Sequence, residues 1–141
     1  MQQNHQKAQI VVFAKTSKKM KVLLFQTNKK RGSFWQNITG SVEKNESYLM
    51  GALREFREET GISDDTIQEI KLLKCDFKFT DLYKRKVSEK CFAILLTKKC
   101  SPKLDAKEHQ NFKWHDVNKI SEENYKFPSN FQAFCEAKKL W

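Results

Sequence analysis

The sequence predicts an α/β fold in which helices pack on a mixed sheet. Three observations lead there. Short apolar, β-branched runs recur at Gln9–Ala14, at Val22–Phe25 and in the CFAILL segment within Val87–Thr97. A helix-periodic stretch lies between Gly40 and Ile62, after the first strands. A second helical segment, Ser129–Leu140, follows the last strand signals.

The elements follow in order. Gln9–Ala14 reads as a strand, Lys15–Lys19 as a polar turn, and Val22–Phe25 as a second strand. The short link makes the pair an antiparallel hairpin. Thr27–Ser33 is a basic, glycine-containing loop, and Phe34–Thr39 reads as a strand edge or an approach segment leading to Gly40. Leu49, Leu53 and Phe56 stand at i, i+4 and i+7, so they predict one apolar stripe docking the helix on the core. Arg54, Glu55, Glu58 and Glu59 then project elsewhere. Asn45 or Ser47 suits the N-cap and Gly61 the left-handed C′ position. Gly51 inside the helix points to close backbone packing. Asp64–Thr66 is a turn, and the second half of Ile67–Phe79 alternates as a strand does. Lys98–Lys107 is a loop, and a short strand lies around Phe112–Trp114. A turn or short helix begins at Val117, and Ser129 or Asn130 caps the final helix.

At 141 residues the chain predicts one domain spanning residues 1–141, long enough to bury a core without staples. No apolar run approaches a membrane span, and the opening MQQNHQKAQ lacks the apolar centre of a signal peptide. The expectation is a cytoplasmic protein with no membrane partner. Four cysteines form no C-x-x-C pair, so they read as free thiols. The net charge of +10 fits attraction to phosphates or a solvated lysine-rich surface. The basic residues are scattered and fall mostly in turns. Solvated surface is therefore the reading for most of them.

Against that basic background, Gly40–Ile62 concentrates carboxylates. Glu55 and Glu59 are four apart and lie on one face, with Glu58 one step round. Like charges at this spacing repel, and the C-terminal end of a helix dipole disfavours them further. Arg54 can neutralise one. The others call for a hard divalent cation held by oxygen, such as Mg²⁺ or Mn²⁺. A solvated charged face is the plain alternative, and the flanking glycines and Glu46 at set distances count against it.

The segment GSVEKNESYLMGALREFREETGI matches the Nudix box, G-x5-E-x7-R-E-U-x-E-E-x-G-U, at every fixed position. Gly40 opens it, and Glu46, Arg54, Glu55, Phe56, Glu58, Glu59 and Gly61-Ile62 follow in place. The chain thus resembles Nudix hydrolases. The resemblance implies an α/β/α sandwich around a mixed sheet, with the box as a loop–helix–loop catalytic motif. It also implies Mg²⁺-dependent hydrolysis of a nucleoside diphosphate linked to another group, with Mn²⁺ as a substitute ion. Glu55, Glu58 and Glu59 would be metal ligands, and Glu46 and Arg54 would orient them. The general base stays open among Glu59, another box glutamate and Glu108.

Outside the box, FWQNITGSVE and EHQNFKW resemble the dihydroneopterin triphosphate pyrophosphatase branch, which also acts on deoxynucleoside triphosphates. By that resemblance Glu108 is a further metal ligand, and Thr39 and Lys7 fall on substrate-contact positions. Trp35 is either core or a stacking surface, and with Gly40 it completes the expected substrate-side set. Thr27 stands where the branch has a basic residue, with Lys29–Arg31 following in a longer loop. His109 and His115 read as packing or surface histidines.

The leading expectation is a pyrophosphohydrolase converting a nucleoside or pterin triphosphate to monophosphate and pyrophosphate, as monomer or homodimer. NDP-sugars, dinucleoside polyphosphates and RNA 5′ ends are alternatives. RNA is less favoured because no basic-aromatic interleaving is present. A non-catalytic nucleotide sensor ranks last, since every box carboxylate is kept.

Overall fold

A computed structural model describes residues 4–141; residues 1–3, part of the polar opening stretch, lie outside the described residues. Seven strands and two α-helices form in the order β1 (His5–Lys15), β2 (Met20–Thr27), β3 (Trp35–Gln36), β4 (Ile38–Ser41), α1 (Tyr48–Thr60), β5 (Ile67–Thr80), β6 (Lys86–Leu96), β7 (His109–Asp116) and α2 (Pro128–Ala137). The main path of the sheet runs β3-β2-β1-β6-β5, with β4 on β1 and β7 on β2. β1 and β6 pair in parallel and every other pair is antiparallel, so the sheet is mixed.

β1 is central because both its faces are buried. Ala8, Ile10, Val12 and Ala14 face the side covered by Ala52 and Phe56 of α1. Val11 and Phe13 face the side covered by Ala133, Phe134 and Ala137 of α2. Such a strand reads as a continuous apolar run, which QIVVFA does. The two helices on opposite faces complete the α/β/α sandwich.

The sheet divides where the site begins. Val12–Lys15 of β1 pair with β2, whereas Lys7–Ile10 pair with β4. Phe25 and Gln26 of β2 pair instead with β3. The two long strands therefore part company beyond Val12 and Leu23, and β3 and β4 each line one of them. Asn37, fully buried, is the joint between β3 and β4. Gly40 follows three residues later, so the box starts at this split.

Helix α1 corrects the expected docking stripe. Its buried residues form two adjacent i,i+4 rows: Ala52, Phe56 and Thr60, and beside them Gly51, Glu55 and Glu59. Leu49 is 43% exposed and does not dock the helix. Glu55 and Glu59 do not project away from the sheet; they are buried against it. Burial of Phe56 stabilises the contact by roughly 2–3 kcal/mol, while the carboxylate row carries a desolvation cost that polar partners must offset. Ser47 caps α1 through its side chain to Met50 N at 3.1 Å, and Gly61 ends it at φ 65°. Gly51 packs where a Cβ would sit 3.0 Å from Val42 Cγ2 and Glu46 Oε1.

Helix α2 begins at Pro128 rather than at a Ser129 or Asn130 cap. Proline at the first helical position has no N–H to satisfy, which removes one of the four orphan donors, and its fixed φ suits a helix start. Asn130 turns inward, and its Oδ1 accepts from Asn37 N at 2.8 Å. β5 is a strand along its whole length, with an irregularity between Leu72 and Asp76. There Glu136 of α2 accepts from the amides of Lys74 and Cys75. No helix among the described residues is long and apolar enough to cross a membrane.

Candidate active site

Arg54 is the hub of the box. Its Nη2 donates to Glu46 Oε1 at 2.6 Å and to the carbonyl of Ser41 at 2.8 Å. Its Nε donates to Glu46 Oε2 at 3.2 Å, so the Glu46 contact is bidentate. Nη1 reaches Glu55 Oε1 at 3.1 Å and Glu58 Oε2 at 3.2 Å. Glu43 lies 3.7 Å from Nε. Glu46 also accepts from Glu43 N at 2.8 Å, which closes the box loop on itself, while its contact with Arg54 ties that loop to the helix. Hydrogen bonding to Arg54, chiefly, holds the Glu46 carboxyl below its ordinary pKa, and Glu46 in turn raises that of Arg54.

Glu55 sits against the backbone of β4. A Cβ on Gly40 would lie 2.1 Å from Glu55 Cδ and 2.3 Å from Oε2. Only a residue without a side chain leaves that space. Burial pushes the Glu55 carboxyl up to about 7, opposed by the Arg54 hydrogen bond and reinforced by Glu58 and Glu59. Burial outweighs the stabilisation that Arg54 gives the charged form.

Glu59 is buried at the other end of the row, with its Oε2 3.0 Å from His109 Nδ1. The two atoms touch without hydrogen-bond alignment, and neither has another hydrogen-bonding partner among the described residues. His109 is fully buried, the packing alternative of the sequence reading, and its contact with Glu59 is what that reading missed. Glu108, next to it in the loop before β7, is half-exposed and pairs with Arg31. That pairing joins the basic Lys29–Arg31 turn to β7. Asn28 strengthens the join by donating to the carbonyls of Ala106 and Lys107. Glu108 is thus not brought among the box carboxylates, although its neighbour His109 is. Thr27 is fully buried.

The expected substrate-side residues divide between the two faces. Gly40 pairs with Ala8 and faces α1, whereas Thr39 pairs with Gln9, and Lys7 lies in register with Ser41 and Glu89. Gln9, Asn37, Glu89 and Asn130 form a buried polar group on the α2 side. Gln9 Nε2 donates to Glu89 Oε1 at 2.9 Å, and Asn37 Nδ2 donates to Gln9 Oε1 at 2.8 Å. Asn37 Oδ1 is buried without a partner. Burial raises the Glu89 carboxyl's pKa. Trp35 packs half-buried on this side, edge-on to His115 at 6.3 Å between ring centres. Of this group only Asn37 lies within the FWQNITGS stretch; Gln9, Glu89 and Asn130 are remote from it in sequence.

Among the described residues, no three His, Cys, Asp or Glu side chains converge as they stand to hold an ion. The donor set nevertheless fits a hard cation. Four carboxylates share one guanidinium, and Glu55 and Glu58 already direct oxygens at a single positive group, Arg54 Nη1. All these donors are oxygens, the chemistry that divalent Mg²⁺ or Mn²⁺ requires.

The family model described as NUDIX domain matches residues 4–134. The chain belongs to the Nudix family. Nudix hydrolases as a class use divalent metal ions. Among curated proteins, a Myxococcus xanthus octanoyltransferase is 34% identical over 102 residues, covering 69% of this chain and 27% of that protein. The dihydroneopterin triphosphate diphosphatase of Escherichia coli (strain K12) is 36% identical over 66 residues, 47% of this chain and 41% of that protein. This chain's matches thus span less than half the length of either relative. The solved E. coli dihydroneopterin triphosphate pyrophosphohydrolase superposes with a TM-score of 0.76 at 25% identity, over 92% of this Nudix chain and 91% of that one. A C. elegans Ap4A hydrolase complex gives 0.78 at 20% identity over 96% of both, which speaks for the fold.

Proposed function

We propose that residues 1–141 act as one Nudix domain hydrolysing a (deoxy)nucleoside or pterin triphosphate to the monophosphate and pyrophosphate, in the cytoplasm, with Mg²⁺ or alternatively Mn²⁺. The observation that carries this reading is the Arg54 hub, which holds Glu46, Glu55 and Glu58 around one cationic group beside the buried Glu59. Glu55, Glu58 and Glu59 would hold the ion, with Glu108 as a further donor once released from Arg31. The ion supplies charge neutralisation at the phosphoryl oxygens and an acidified water.

The remaining work belongs to the chain. Arg54 and Glu46 keep the carboxylates aimed, and Gly40 leaves room for Glu55. Glu59 takes the proton from the attacking water in this reading. Lys7, Thr39 and Trp35 would contact the substrate from the α2 side. Gln9, Asn37 and Asn130 bond mainly to one another, and Asn37 Oδ1 is the buried acceptor this group leaves without a partner for a heterocycle's N–H. The curated diphosphatase relative favours a triphosphate, because its printed activity is of that class.

The test is a panel of nucleoside triphosphates, dihydroneopterin triphosphate, dinucleoside polyphosphates, NDP-sugars and triphosphorylated RNA with Mg²⁺, with products identified. The reading expects monophosphate plus pyrophosphate from one of the small triphosphates. Preferred turnover of a dinucleoside polyphosphate, an NDP-sugar or RNA would replace it. Tight nucleotide binding with no product under either ion would make the domain a sensor.

A further inference from the structure

We infer that His109 is a positioning residue for Glu59: it donates a hydrogen bond from Nδ1 to the Glu59 carboxylate and is itself aimed by Gln36. The inference rests on the reading of Glu59 as a metal ligand and goes beyond it, because no box position includes His109.

The argument starts from burial. His109 and Glu59 are both under one-tenth exposed, and polar groups so placed need partners. Glu59 Oε2 and His109 Nδ1 have only each other within reach, 3.0 Å apart. A carboxylate oxygen can only accept. A bare Nδ1 lone pair facing it would repel, so the contact requires the proton on Nδ1. The far side of the ring agrees. Gln36 Nε2 lies 3.2 Å from His109 Nε2, and an amide nitrogen can only donate. With the Gln36 amide so oriented Nε2 accepts, in agreement with the proton on Nδ1 that the Glu59 contact requires.

Three strands fix the ring in that attitude. His109 opens β7 in register with Thr27 of β2, Gln36 lies on β3, and Phe25 of β2 packs its ring 5.1 Å from the imidazole. Glu59 arrives from α1. The sheet thus reaches the last turn of the box helix through one side chain. The remaining misalignment between Nδ1 and Oε2 is of the kind that closes when a site is loaded. Outer partners of this type set the orientation of an acidic ligand, and removing one commonly costs about 10–100-fold in metal affinity or activity.

The test compares two substitutions with opposite losses. His109→Phe keeps the ring volume and loses the donor. His109→Asn loses the ring and keeps an N–H close to the Nδ1 position. Mn²⁺ affinity is read by electron paramagnetic resonance on each full-length protein, beside Glu59→Gln and the wild type. The expected result is Mn²⁺ binding weakened about 10–100-fold in His109→Phe, with His109→Asn within about threefold of wild type and Glu59→Gln also weakened. Wild-type affinity in His109→Phe, or loss in His109→Asn alone, would show a packing role and overturn the inference while leaving the Glu59 reading intact. Wild-type affinity in Glu59→Gln would overturn both. Nitrogen-15 imidazole shifts on the metal-free wild type give an answer independent of any variant's folding. A protonated Nδ1 and bare Nε2 are expected, and the opposite tautomer refutes the inference.

Discussion

Gly40 and Glu55 occupy one space: the point where a Cβ on residue 40 would sit is 2.1 Å from the Glu55 carboxyl carbon. The first glycine of the box is thus the seat of a carboxylate that belongs to its helix. Gly40 is not among the residues with positive φ, so alanine there is acceptable to the backbone. Gly40→Ala should therefore fold and misplace Glu55. Turnover is expected to fall about 100-fold, the scale of an ångström-sized displacement at a reacting centre. Steady-state kinetics beside a thermal melt would check this. Wild-type rates in a folded Gly40→Ala protein would contradict the role given to Glu55.

Arg54 differs from a lysine in more than strength. It serves Glu46, Glu55, Glu58 and the Ser41 carbonyl at once through a planar fork. A single ammonium cannot span those directions. Arg54→Lys should lower turnover by about 10–100-fold even at saturating Mg²⁺, and should lower the thermal midpoint. Glu46→Gln, which keeps an acceptor for the guanidinium, should lose less. An Arg54→Lys enzyme as fast as the parent would remove the hub from the account.

Glu89 gives a pH-dependent test away from the box. Burial raises its pKa above the unfolded value of 4.5, with Gln9 and Lys7 opposing. A carboxyl raised in the folded state contributes stability that is fully present below the unfolded pKa. That contribution is lost as pH rises through the folded one. Glutamine is neutral throughout and still accepts from Gln9. Glu89→Gln should therefore gain stability relative to wild type as pH rises above 4.5, measured by denaturant unfolding at acidic and at mildly alkaline pH. A difference that does not change with pH would show that Glu89 is ionised at no cost in the fold.

Asn130 holds the joint of the split sheet. Its Oδ1 accepts from Asn37 N and its backbone carbonyl accepts from Asn37 Nδ2. Asn130→Ala leaves a buried amide unpaired and should cost about 2 kcal/mol in equilibrium unfolding. A cost below about 0.5 kcal/mol would mean that the joint reorganises around water.

How far the sequence led can be judged residue by residue. The box positions, the Ser47 and Gly61 caps, the apolar runs of β1 and β6, and helices on a mixed sheet were all legible, because each follows from local chemistry. The burial of Glu55 and Glu59 was not. Apolar periodicity assigned the core face to Leu49, Leu53 and Phe56, whereas the helix is rotated so that its acidic row lies under Gly40. Nothing in a count of hydrophobic spacing registers a buried carboxylate. Asn130 was misread as a cap although Pro128 already marked the helix start. His109 was read as a packing or surface histidine, since its contact with Glu59 joins residues fifty apart and no local pattern carries it. The buried polar group was out of reach for the same reason: Gln9, Asn37, Glu89 and Asn130 meet only once α2 packs on the folded sheet.

The central claim is that the box carboxylates carry a divalent-metal hydrolysis, and Glu59 is its most direct probe. Pyrophosphate release from the preferred triphosphate should be measured with Mg²⁺ for wild type and Glu59→Gln, with matched thermal melts. The account predicts metal-dependent release in the wild type and a loss of about 1,000-fold in Glu59→Gln, the scale of removing a general base. Equal rates in the two folded proteins, or release that ignores Mg²⁺, would contradict it.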